Sequence, residues 1–216
     1  MKITIIGAGG YVFPLTEIRD ILSFPSLQDS TICLYDISAK RLKNTEKGAR
    51  GMIEMFNLPT TLELTPDRRE ALKDTDVAIC TFQVGGLDAF KLDVEIPRKY
   101  GVDQTVGDTL GPGGVFRGLR SMAVFLDMAD EWHELCPDAI LLQYANPMSI
   151  NCQATEALGM TTVGLCHSVQ GTSAMLAREA GYPIDECAYV CAGVNHMAWF
   201  LRFEHKREDK IGRAHV

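Results

Sequence analysis

Apolar residues along this chain fall into short runs that alternate with stretches of helical spacing. Lys2-Ile3-Thr4-Ile5-Ile6 is the first run, and it stops at Gly7-Ala8-Gly9-Gly10. Residues 16–22 then carry apolar positions at the spacing of a helix face. The runs at 31–35, 76–82, 139–144, 161–165 and 188–192 read as further strands. Segments 39–56, 116–135 and 170–180 read as amphipathic helices. Strands that are apolar throughout are buried on both faces, which is the habit of a parallel sheet covered by helices. The pattern therefore predicts an α/β fold, a Rossmann-like doubly wound and mostly parallel sheet. Residues 1–165 are expected to form that domain and 166–210 the start of a second, truncated α+β domain. Residues 211–216 lose the apolar pattern and are expected to be a non-native tail.

Composition narrows the class. Of 216 residues 46% are apolar, enough for a sizeable core and too many for a disordered chain. The net charge is −7, with Lys and Arg scattered, which argues against nucleic acid or an anionic membrane as partner. No apolar run approaches the roughly 18 residues of a membrane span, and the opening residues look like a strand rather than a signal peptide. The seven cysteines form no CxxC pair, and Cys33 and Cys80 sit inside strand runs as small hydrophobes. Reduced thiols in a cytoplasmic protein are expected.

The candidate chemistry lies at strand ends, where open α/β sheets bind ligands. Gly7, Gly9 and Gly10 follow the first strand and precede a helix, the opening of a dinucleotide site, although Val12 stands where a third glycine is usual. Asp36 ends the second strand, where a carboxylate accepts from the ribose hydroxyls of NAD and repels the 2′-phosphate of NADP. The alternative is that it only starts the turn before the next helix. Gln83-Val84-Gly85-Gly86 would line the nicotinamide side of the crevice. Residues 101–114 are too glycine-rich for a helix and too apolar for a linker. They could be plain connection, but loops of this length are often functional, and Asp108 within them is a candidate carboxylate for substrate or for supporting a residue that binds it. Asn146-Pro147 reads both as a helix start, with Asn as N-cap, and as an amide facing the crevice. Cys166 and His196, at the ends of successive strands, are the candidate metal pair.

Taken together, GAGG, Asp36, FQVGG, GDTLGPGG, NPM, GLCHSVQG and GVNHMAWF resemble the NAD- and manganese-dependent family 4 glycoside hydrolases, especially their α-galactosidase and α-galacturonidase branch. This family stands outside the two-carboxylate scheme of most glycosidases. The resemblance implies a redox-assisted elimination. NAD removes hydride from C3 of the sugar, the C2 proton becomes acidic, the glycosidic oxygen leaves, and water and hydride return. It implies that Cys166 and His196 hold Mn²⁺, that His167 protonates the leaving oxygen, and that Asn146 holds sugar hydroxyls. Intrinsic affinity of a Cys/His pair favours zinc, so zinc is expected as a tight, inhibitory competitor.

Family members are about twice as long and carry their proton-abstracting tyrosine beyond the position of His196, so this chain alone is expected to be inactive. An α-glycoside is the expected small-molecule substrate, with galactoside, galacturonide and glucoside all open, and a homo-oligomer is expected at full length. Two rivals stand beside this reading. A 2-hydroxyacid dehydrogenase would use His196 as a proton shuttle and need no metal, and a non-catalytic NAD-binding protein would turn over no sugar.

Overall fold

A computed structural model describes residues 1–10, 12–104 and 106–210. The supposed tail, 211–216, lies outside the described residues. The chain divides into two compact units, Met1–Gly164 and Leu165–Val216.

The first unit is built on a six-stranded parallel sheet. Its strands are β1 (Lys2–Ile6), β2 (Thr31–Tyr35), β3 (Thr61–Thr65), β4 (Val77–Cys80), β5 (Ile140–Gln143) and β6 (Thr161–Gly164). Their order is β3-β2-β1-β4-β5-β6, so the direction of winding reverses between β1 and β4. That reversal opens a crevice at the carboxyl ends of the strands, as in other doubly wound folds.

Helices α1 (Phe13–Leu22) and α2 (Ala39–Met55) cover one face. Ile18 and Leu22 of α1 and Leu42 and Ala49 of α2 pack there against Ile5, Ile32 and Leu34. On the opposite face lie α3 (Arg68–Leu72) and α5 (Gly111–Leu135), and α4 (Gly86–Arg98) packs on α5. The buried positions Gly114, Gly118, Ser121, Phe125, Met128 and Trp132 of α5 recur every three or four residues, so one stripe turns inward, and its Phe125, Met128 and Trp132 pack on the sheet. Helix α6 (Met148–Ala157) crosses α5 at Gly118, where a Cβ would come within 2.9 Å of Ile150.

Two expectations change here. Helix α5 begins at Gly111, not at residue 116, so GPGG is its first turn rather than loop. Pro112 suits a first turn, where its missing N–H costs nothing. Gly114 lies so close to Thr109 that a Cβ would stand 2.6 Å from its carbonyl carbon. Nor does Asn146 cap α6: the cap position is Pro147, and no side chain caps it.

The second unit contains α7 (Ser168–Ala180) and an antiparallel sheet ordered β7-β8-β9. Strands β7 (Cys187–Val194) and β8 (Met197–His205) form a long hairpin, and β9 (Glu208–Asp209) adds a short edge. Strand β7 therefore does not continue the parallel sheet. No helix among the described residues is long and apolar enough to cross a membrane.

Candidate functional site

The glycine turn after β1 is closed tightly onto its neighbours. Gly7 and Ala8 both donate their N–H to the carbonyl of Tyr35 at 2.9 Å, and Gly10 N–H returns to Gly7 O at 3.0 Å. Thr45 of α2 donates to Ala8 O at 2.6 Å and pins the turn from the helix side. Gly7 has φ +96°, and a Cβ there would lie 2.6 Å from the backbone nitrogen of Phe82. Only glycine meets both demands without strain. A Cβ at Gly9 would stand 2.6 Å from the carboxylate of Asp36.

Asp36 is buried at the end of β2. Its Oδ2 accepts from Gly9 N–H at 3.0 Å, and its Oδ1 accepts from Ser38 N–H at 2.8 Å and from Arg41 Nη2 at 3.2 Å. Asp36 thus shapes the turn before α2 and holds the glycine turn through Gly9.

A cavity of about 440 Å³ opens where these pieces meet, within the usual size of a small-molecule site. Gly7, Gly10, Asp36, Arg41, Phe82 and Gln83 are among its walls. Gln83 donates from Nε2 to Gly86 O at 2.8 Å, which ties the β4–α4 loop over one side. A hollow of about 470 Å³ near the carboxyl ends of α1 and α2 has mainly apolar walls, such as Leu22, Met52 and Phe56, and no carboxylate, histidine or cysteine. Of these two, the cavity at the glycine turn is the one with a carboxylate on its walls.

A second polar cluster gathers Asp108, Arg117 and Asn146. Asn146 donates from Nδ2 to Asp108 Oδ2 at 3.1 Å, and Arg117 Nε donates to the Asn146 carbonyl at 2.9 Å. A carboxylate only accepts, so the amide must turn its NH₂ to Asp108 and keep Oδ1 as a free-standing acceptor type. Burial pushes the Arg117 guanidinium below its ordinary pKa, against the opposing pull of Asp108 and Asp93. Arg120 forms a fork with the buried Asp93, and Gln104 links Asp93 O to Gly113 N–H, so the loop before α5 is held at several points. Sequence reading found Asp108 and Asn146 but not Arg117 or Arg41. No local pattern marks either arginine, since the partner of each is brought to it by folding.

In the second unit, Cys166 precedes α7. Its Sγ lies 3.2 Å from Ser168 Oγ and accepts from Ser168 N–H at 3.4 Å. His167 is the exposed N-cap residue of α7. His196 does not sit at the end of a parallel strand. Val194 pairs with Met197, and Asn195-His196 is the two-residue turn between them, with His196 exposed at φ +62°. Gly193 lets the strands close there, since its φ is +145° and a Cβ would collide with Met197 O. Among the described residues no three His, Cys, Asp or Glu side chains gather as a metal-holding group. Cys166 and His196 are suitable donor types, and a metal there would need further ligands.

Comparison with known proteins gives the family and the fold. A family model described as "Family 4 glycosyl hydrolase" matches residues 2–181. An alpha-galactosidase of Rhizobium meliloti (strain 1021) is 42% identical over 93% of this chain and 41% of its own length. An alpha-galactosidase of Bacillus subtilis (strain 168) is 38% identical over 96% of this chain and 49% of its own. The chain thus spans about half the length of these curated relatives. The crystal structure of a 6-phospho-alpha-glucosidase from gut microorganisms, in complex with NAD and Mn²⁺, superposes with a TM-score of 0.85. It is 22% identical, covered over 99% of this chain and 49% of that one, and it shows the shared fold.

Proposed function

Because the chain belongs to family 4 of the glycosyl hydrolases, we propose that it supplies the dinucleotide-binding unit and part of the sugar site of an NAD- and Mn²⁺-dependent α-galactosidase. The observation that carries this reading is the glycine turn closed onto Asp36 beside a cavity at the carboxyl ends of the strands. When bound, NAD supplies a reversible hydride acceptor and Mn²⁺ a Lewis acid, which together allow elimination and re-addition at a glycosidic bond.

The residues of this chain divide that work. Gly7, Gly9 and Gly10 let the backbone approach a pyrophosphate, and Asp36 turns its carboxylate to the ribose end. Gln83 stands on the wall formed by the loop after β4. Asn146, fixed by Asp108 and Arg117, offers Oδ1 to a sugar hydroxyl, which can donate to it. Cys166 and His196 would hold the metal with ligands from elsewhere. His167, next to Cys166, would give a proton to the leaving oxygen.

The relatives' names favour an α-galactoside as substrate. The test is hydrolysis of an aryl α-galactoside in D₂O by a protein carrying this chain at its relatives' length. Deuterium at C2 of the product sugar, with NAD needed only in catalytic amount, is the expected result. Product with protium alone at C2, formed equally well without NAD, would refute the proposal, and NADH accumulating in step with product would point to a dehydrogenase.

A further inference from the structure

Asp36 does not face the cofactor cavity alone. A carboxylate at this position discriminates against NADP because a 2′-phosphate would meet a like charge. Here Arg41 Nη2 lies 3.2 Å from Asp36 Oδ1, so a phosphate would meet a carboxylate already paired with a guanidinium. The two partners are held very differently. The Asp36 side chain is 8% exposed and fixed by the N–H groups of Gly9 and Ser38, whereas that of Arg41 is 57% exposed. An ion pair with one partner in water is screened and weak. A phosphate offers a guanidinium more charge and more acceptor oxygens than one shared carboxylate oxygen does. Arg68, the other guanidinium on the cavity wall, is committed to Glu131 and Asp127. Arg41 is therefore placed to exchange Asp36 for a phosphate without uncovering a buried charge, because Asp36 keeps its two backbone donors.

We propose that Arg41 reads the 2′ position of the adenosine ribose and lets the site take NADP alongside NAD. The inference rests on the reading of this cavity as a nicotinamide dinucleotide site. It revises the strong preference for NAD that Asp36 implies by itself: repulsion from the carboxylate and attraction to the guanidinium oppose one another, and the two affinities should lie within about tenfold.

Isothermal titration of the 216-residue chain with NAD⁺ and with NADP⁺ tests this, using Arg41→Ala, Arg41→Lys and Asp36→Ala beside the native protein. Arg41→Ala should weaken NADP⁺ about tenfold more than NAD⁺, and Arg41→Lys should recover part of that difference because it restores a cation. Asp36→Ala should move the preference toward NADP⁺, and adding Arg41→Ala to it should cancel the move. Retained NAD⁺ binding shows that each variant is folded. NADP⁺ affinity that falls no more than NAD⁺ affinity in Arg41→Ala would overturn the proposal, as would native protein that binds NAD⁺ and not NADP⁺. Native protein that binds neither would overturn the dinucleotide reading itself.

Discussion

The glycine turn of the first unit and the Cys166 and His196 segments of the second present their chemistry in opposite ways. Gly7, Gly9 and Asp36 are locked by Tyr35, Thr45, Ser38 and Phe82, all neighbours within Met1–Gly164. His196 instead projects from an exposed hairpin turn, and the Cys166 sulfur meets Ser168 of its own helix start. A site prearranged by its own unit binds without first ordering itself, whereas donors on exposed turns need outside groups to fix them. Dinucleotide binding should therefore belong to the first unit as it stands, and metal binding should depend on ligands beyond this pair.

The largest break in that contrast should come from Gly7→Ala. The substitution forces a side chain onto φ +96° and against the backbone of Phe82. A loss of about 3 kcal/mol in unfolding free energy is expected, together with loss of NAD binding. Thermal denaturation and titration read the two effects.

A pH effect should come next, through Glu17 of α1. Both of its carboxylate oxygens are buried without a hydrogen-bond partner among the described residues, and burial, with Asp20 adding repulsion, pushes its pKa up to about 7. The folded protein then holds this proton more tightly than the unfolded chain. Stability from this group is full below about pH 4.5, falls as pH rises, and is lost above about pH 7, by on the order of 2 kcal/mol. Glu17→Gln should flatten that dependence in urea titrations across the interval and be the more stable protein at pH 8.

Smaller still is Arg117→Met, which removes the bond to the Asn146 carbonyl and should cost about 1–2 kcal/mol. NAD affinity should change little by comparison, because the substitution lies outside the glycine turn. Least of all, Cys166→Ser and His196→Ala should shift stability by less than about 0.5 kcal/mol, since neither side chain supports a core. Both should nevertheless abolish metal-dependent turnover in the longer protein. Metal-activated turnover retained in both variants would remove them from the metal site.

Most of the parallel sheet was legible because β1, β2 and β4 are apolar runs buried on both faces, and β5 is a short apolar run buried on one. Strand β3 was not, since TLELT is a partly exposed edge with only two large apolar residues. Helix α4 hides among Gly86, Asp93 and Pro97, and the positions it buries include a charged residue whose reason is a distant Arg120. Strand β8 exposes Trp199 and Leu201, so no inside–outside alternation marked it, and its turn is Asn-His rather than the Asn-Gly that announces a hairpin. Candidate residues that follow strands could be named from the chain alone. Arg41 and Arg117 could not, because what each does depends on a partner that folding brings to it: Asp36 across a turn, and Asn146 from another helix start.

Titration of the 216-residue chain with NAD⁺, once in EDTA and once in Mn²⁺, tests the central claim most directly. The account predicts saturable binding of equal strength in both, weakened by Asp36→Ala and abolished by Gly7→Ala. No binding in EDTA, or binding indifferent to Gly7→Ala, would contradict it.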